Sequence, residues 1–86
     1  MDSYKIKWKK SALKELYKLS KKHISRVIAA VENLVSDPFS SRVKKLKGSE
    51  MTFRIWVGSH RVLYEVEEDR LVIYIVRVRH RKEVYR

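Results

Sequence analysis

The spacing of apolar residues changes period twice along this chain. From Tyr4 to Trp8, Tyr4, Ile6 and Trp8 alternate with Lys5 and Lys7, the period of two that marks a strand with one buried face. From Ser11 the apolar positions fall three and four apart. Leu13, Leu16 and Tyr17 share one side of a helix, and Lys10, Lys14 and Lys18 lie elsewhere on it. Ser20 precedes a second such series, Ile24, Val27, Ile28, Val31, Leu34 and Val35, and suits the N-cap of a second helix. That helix ends by Asp37-Pro38, because proline disfavours helical geometry in the residue before it. Two amphipathic helices joined this tightly predict an antiparallel helical hairpin.

After a basic connector, Phe39 to Lys47, which carries Lys44, Lys45 and Lys47 and closes at Gly48, the period of two returns. Met51, Phe53, Ile55 and Val57 alternate with Thr52, Arg54 and Trp56, and Gly58-Ser59 makes a turn. Val62, Tyr64 and Val66 then alternate with Arg61, Leu63 and Glu65. Glu67 to Arg70 is a polar hairpin turn, and Leu71 to Val78 starts apolar on both faces, as expected of a central or doubly covered strand. Lys82 to Arg86 is a tail expected to fray. The order β-α-α-β-β-β predicts one α+β domain over residues 1–86. In it a helical hairpin packs on one face of a twisted antiparallel four-stranded sheet, since neither layer can bury its apolar side alone. The other sheet face stays open.

Alternation assigns side chains to that open face. If Phe53, Ile55 and Val57 face the helices, Arg54 and Trp56 face away, and by the same parity so does Arg61. On the last strand Val72, Tyr74, Val76 and Val78 form the inward set, leaving Arg77, Arg79 and Arg81 outward. Lys44, Lys45, Lys47, Lys82 and Tyr85 border the surface. The acids Glu67, Glu68 and Asp69 gather in one turn instead.

Charge gives the pattern a partner. Twenty-one Lys and Arg against ten Asp and Glu give +11, and a polyanion, most commonly nucleic acid, is the natural complement. Arginine grips phosphate bidentately, and an aromatic such as Trp56 or Tyr85 can stack on an unstacked base. With no cysteine, thiolate metal sites and cysteine nucleophiles are excluded, and a reducing cytoplasm fits. The three histidines, His23, His60 and His80, have no paired spacing that would make a metal site, and His23 and His60 read as structural. No segment approaches the roughly 20 apolar residues of a membrane span. No cofactor motif is present.

At Leu46-Lys47-Gly48, Phe53-Arg54-Ile55, His60-Arg61-Val62-Leu63-Tyr64-Glu65-Val66 and His80-Arg81-Lys82-Glu83-Val84-Tyr85-Arg86, the chain resembles the RelE toxin family, small mRNA endoribonucleases of type II toxin–antitoxin modules. The likeness covers essentially the whole chain. It implies a helical hairpin on a sheet with RNA in the concave face, cleavage of mRNA in the ribosomal A site, and a co-expressed antitoxin that neutralises the toxin, an acidic segment wrapping a +11 protein. Carried over by position, Arg54 acts on the scissile phosphate and Arg61 clamps it. Arg81 stabilises charge or the leaving group, and Tyr85 orients the nucleotide. His80 stands where some relatives place a catalytic histidine. Trp56 departs from the pattern, occupying a position where the best-known members carry a lysine.

RNA can be cut without a metal when its own 2′-OH attacks the adjacent phosphorus. The protein then positions the nucleotide, stabilises the phosphorane charge and moves two protons. Arginines suit the second task but not proton abstraction, since a guanidinium stays protonated. His80 is the best base by residue type, with Lys45 and Lys47 as alternatives. Two other functions fit the same features: inhibition of DNA gyrase, as in the ParE branch of the superfamily, and RNA binding without cleavage.

Overall fold

A computed structural model describes residues 4–39, 44–45 and 52–84 of the chain. In chain order the elements are β1 (Lys5–Trp8), α1 (Lys10–Tyr17), α2 (Lys21–Asn33), β2 (Lys44–Lys45), β3 (Thr52–Val57), β4 (His60–Glu67), β5 (Val72–His80) and α3 (Arg81–Val84). The strands form one sheet in the order β1-β5-β4-β3-β2. Ala12 and Leu16 of α1 and Val27, Val31 and Leu34 near α2 are buried together with Ile55, Val62, Tyr64, Val66, Ile73, Ile75 and Val78 of the sheet. The predicted α+β architecture, a helical hairpin packed on the sheet, is therefore the observed one.

Local chemistry explains the boundaries. The Ser20 side chain accepts the backbone N–H of His23 and caps α2, satisfying one of the donors a helix start leaves free. The β3–β4 hairpin turns through Gly58, whose φ is +60°. Ser59, the other central residue, is not at positive φ, so this is the Gly-first two-residue turn whose twist matches that of the strands it joins. Tyr17 and Ile28, both expected in the helical interface, are exposed; Ala12 fills the first helix's core position instead.

Three features correct the antiparallel four-stranded sheet expected from the sequence. First, β1 runs parallel to β5, in the register Lys5↔Val72 to Trp8↔Ile75. Alternation defines a strand but is the same whichever way its neighbour runs, so polarity between distant segments is not encoded locally. Second, Lys44 and Lys45, expected in a connector, form a two-residue edge strand opposite Arg54 and Phe53. Third, β5 contains a bulge. Leu63 pairs with Arg77, but Tyr64 pairs with Ile75, so Val76 is the extra residue and parity inverts across it. The inward residues are thus Ile73, Ile75 and Val78, whereas Tyr74, expected inward, donates its hydroxyl to Glu67 at 3.3 Å. In addition, Arg81–Val84 form a helical turn where a fraying tail was expected.

Tyr64 links the sheet to the end of the hairpin. Its fully buried hydroxyl donates to the Pro38 carbonyl at 2.7 Å. Burial, and secondarily the negative charge of Asp37, hold its phenol well above its ordinary value. Tyr64→Phe leaves the buried Pro38 carbonyl unsatisfied and is expected to cost about 1–3 kcal/mol, read from the urea midpoint. Because the folded-state pKa is raised, stability from the neutral phenol is complete below about pH 10, the unfolded value, and declines as pH rises above it. The alkaline unfolding of the wild type, followed by circular dichroism, should therefore be less steep in Tyr64→Phe.

Candidate nucleic-acid interface

The register of the sheet arranges the open face in cross-strand rows. Trp56 of β3 lies opposite Arg61 of β4, which lies opposite Arg79 of β5. Arg54 lies opposite Leu63, which lies opposite Arg77, and the backbone of Lys44 extends this row across β2. Directly paired residues share a face, and Val62, Tyr64 and Val78 between them are buried beneath the helices. Arg54, Trp56, Arg61, Arg77 and Arg79 therefore stand on the side away from the hairpin. Arg54 and Arg61 are diagonal neighbours, whose Cα atoms lie about 7–8 Å apart in such a ladder, close enough for two long side chains to meet one phosphate.

These arginines divide by their partners. Arg77 and Arg79 both pair with Glu15 of α1, Arg79 Nε at 3.0 Å and Arg77 at 3.5 Å from Oε2. Arg54 and Arg61 take part in none of the ion pairs among the described residues. Arg61 Nε is buried and has no hydrogen-bond partner among them. A buried donor without an acceptor costs free energy, and an anion arriving on this face would relieve that cost. Glu65, on the same face, pairs with Lys9 at 3.6 Å, an exposed contact worth little.

The other candidate residues are placed differently. His80 lies opposite His60 at the strand ends, on the helix-facing side with Val62 and Val78. Its ring meets that of His60 at 5.1 Å, and His60 meets His23 of α2 at 5.0 Å. His80 Nδ1 accepts the backbone N–H of Lys82 at 3.1 Å, which puts the proton of a neutral ring on Nε2. The register thus puts His80 on the face opposite Arg54 and Arg61, with one of its nitrogens occupied. Arg81 and Lys82 are exposed at the start of α3, and the Arg81 N–H bonds the Ser59 carbonyl of the β3–β4 turn at 2.7 Å. That contact holds α3 at the end of the sheet where Trp56 and Arg61 lie. Lys44 and Lys45 contribute the backbone of β2. Lys47 and Tyr85 lie outside the described residues.

Two features went unread in the sequence. The histidines that looked scattered are in contact, though among the described residues no group of three or more His, Cys, Asp or Glu is placed to hold a metal ion. Their separation along the chain gave no signal. Glu15 is the second feature, and it had one: it is the sole acid between Lys9 and Lys22, one helical turn from Ser11.

Comparison with known proteins matches residues 6–85 to the family described as the ParE toxin of the type II toxin–antitoxin system parDE. The chain is 30% identical to toxin RelG of Mycobacterium tuberculosis, over 96% of this chain and 97% of that protein. It is 28% identical to the putative toxin RelE1 of Methanocaldococcus jannaschii, over 96% of each. The fold superposes on the archaeal RelE–RelB complex of Pyrococcus horikoshii with a TM-score of 0.80 at 30% identity, covering 91% of this chain and 94% of that one.

Proposed function

The chain belongs to the RelE/ParE family of type II toxins, and from that premise we propose that it is an endoribonuclease that cuts mRNA in the ribosomal A site by attack of a 2′-OH on the adjacent phosphate. The observation that carries this reading is a pair of arginines without ion-pair partners among the described residues, Arg54 and Arg61, diagonal neighbours on the open face, one of them with a buried donor unsatisfied among those residues. In the reaction they take the scissile phosphate and hold the charge that develops on it, the role that preorganised donors fill most effectively. Trp56, 38% exposed beside Arg61, offers a stacking surface to a base. Arg81, at the start of α3, takes the leaving-group role that the family resemblance gives it, and Tyr85 the nucleotide-orienting one.

The proton acceptor in this reading is Lys45 or Lys47; Lys45 belongs to β2, which pairs with β3 at Arg54 and Phe53. His80 becomes a positioning residue that holds the start of α3 through the Lys82 N–H. The partners are mRNA on the ribosome and a cognate antitoxin, since the P. horikoshii relative is seen with RelB and a +11 chain complements an acidic segment. The setting is the cytoplasm, where translating ribosomes are; no helix among the described residues is long and apolar enough to cross a membrane.

Primer extension on mRNA translated in the presence of the purified toxin tests the proposal. New 3′ ends inside codons are expected, and intact message at saturating toxin would overturn it. The ParE description of the matching family favours a second reading, inhibition of DNA gyrase, which loss of supercoiling activity without mRNA cleavage would establish. Binding of RNA with neither effect would leave a non-catalytic module. Trp56→Ala is expected to weaken binding of a short single-stranded RNA about ten- to a hundredfold, since a stacked base contributes ~1–3 kcal/mol; fluorescence anisotropy measures it.

A further inference from the structure

β5 is paired to β1 only as far as Ile75. Beyond that point its backbone faces α1 rather than a strand, and an unpaired sheet edge needs partners. Two side chains one helical turn apart supply them. Ser11 Oγ donates to the Val76 carbonyl at 2.9 Å, and Glu15 Oε1 accepts the Val78 N–H at 2.9 Å. The second carboxylate oxygen, Oε2, receives Arg79 Nε at 3.0 Å and Arg77 at 3.5 Å. Glu15 is only 17% exposed, against 42% and 40% for the two arginines. One carboxylate therefore ties the edge of the sheet to two guanidinium groups of its open face.

We propose that Glu15 is a positioning residue for the RNA site: it anchors Arg77 and Arg79 as a fixed wall beside Arg61, so that the phosphate chain is guided onto Arg54 and Arg61. The assignment rests on the reading of the open face as a ribonuclease site. Without the carboxylate, Arg77 and Arg79, two apart on one strand face and beside Arg61 in register, would repel one another and seek phosphates independently. Glu15 thus holds back two cations from general polyanion binding and keeps them oriented. Binding and cleavage should consequently respond in opposite directions when it is neutralised, which loss of a merely structural contact would not produce.

The test uses the full chain carrying Glu15→Gln or Arg79→Lys. Glutamine keeps an acceptor for the Val78 N–H and loses the charge; lysine keeps the charge of residue 79 and loses the Nε–H donor. Both variants are expected to cut ribosome-bound mRNA about ten- to a hundredfold more slowly, the scale of a misplaced catalytic arrangement. In Glu15→Gln, binding of single-stranded RNA should tighten and become more salt-dependent, by about 0.7 in log–log slope for each phosphate newly engaged. The Arg79 Nε–H, hydrogen-bonded to Glu15 in the wild type, is expected to exchange more slowly there than in Glu15→Gln. Arg79→Lys reports even where Glu15→Gln folds poorly, because the helix and its edge contacts are untouched. Wild-type cleavage by Arg79→Lys, or unchanged Arg79 Nε–H exchange in Glu15→Gln, overturns the assignment alone. Wild-type cleavage by Arg61→Ala overturns the ribonuclease reading and takes the assignment with it.

Discussion

Arg61→Ala is expected to lower mRNA cleavage by about 10²–10³-fold, the cost of removing one preorganised donor to a developing charge, while leaving the fold as stable as before or slightly more so. The two halves of that expectation have one cause. Arg61 Nε is buried on the open face with no acceptor among the described residues, and its neighbour across the ladder, Arg79, is another cation. Removing a buried, unsatisfied, like-charged donor takes away a destabilising feature. Such a feature persists where function requires it, the usual trade between stability and activity. Arg61→Lys should recover only part of the loss, because an ammonium carries charge without the planar fork that grips two phosphate oxygens. Single-turnover cleavage of ribosome-bound mRNA beside thermal melting checks both halves. A variant that melts well below the wild type would show that Arg61 supports the sheet, and full cleavage would remove it from the site.

Ile75→Ala carries the largest expected effect on stability. β5 lies between β1 and β4 in the sheet, and Ile75 is fully buried with Trp8 and Tyr64 as its register neighbours. It is also the last residue before the bulge at Val76, so parallel pairing, antiparallel pairing and the change of parity all meet there. Truncation removes the transfer free energy of the lost methyl groups and leaves a cavity that a three-way junction cannot collapse into, a cost of about 2–5 kcal/mol. In a domain of this size that lowers Tm on the order of 10–30 °C. Ile75→Val keeps the β-branched shape and should cost only about 0.5–1.5 kcal/mol. Urea denaturation gives both values; a loss below 1 kcal/mol for alanine would show that this junction repacks.

Much of the site could be read from the chain because the relevant code is local. Residues two apart on a strand share a face, so Arg54 with Trp56, and Arg77 with Arg79, were paired by counting. Placing Arg61 beside them needed only the assumption that Val62, Tyr64 and Val66 point inward, and they are buried. Counting failed at Val76, where one extra residue reversed the parity: Tyr74 was assigned to the core yet lies outside it, bonded to Glu67. A bulge arises from how a strand fits its two neighbours, and no residue type marked it. His80 shows the same limit. Its chemistry singled it out, but chemistry does not say on which side of a sheet a strand end leaves its ring, and the His60 contact places it beneath the helices.

The amino-acid order by itself determined the helices, the long strands, the turn at Gly58 and the strongly cationic face, since each follows from periodicity or from the conformational preference of neighbouring residues. Only the tertiary structure decided that β1 runs parallel to β5, that Glu15 pairs with Arg77 and Arg79 while Arg54 and Arg61 form no ion pair among the described residues, and that three distant histidines touch. Those outcomes depend on contacts between segments far apart in the chain. Their free energy is realised only when the whole core closes, so no local pattern records them.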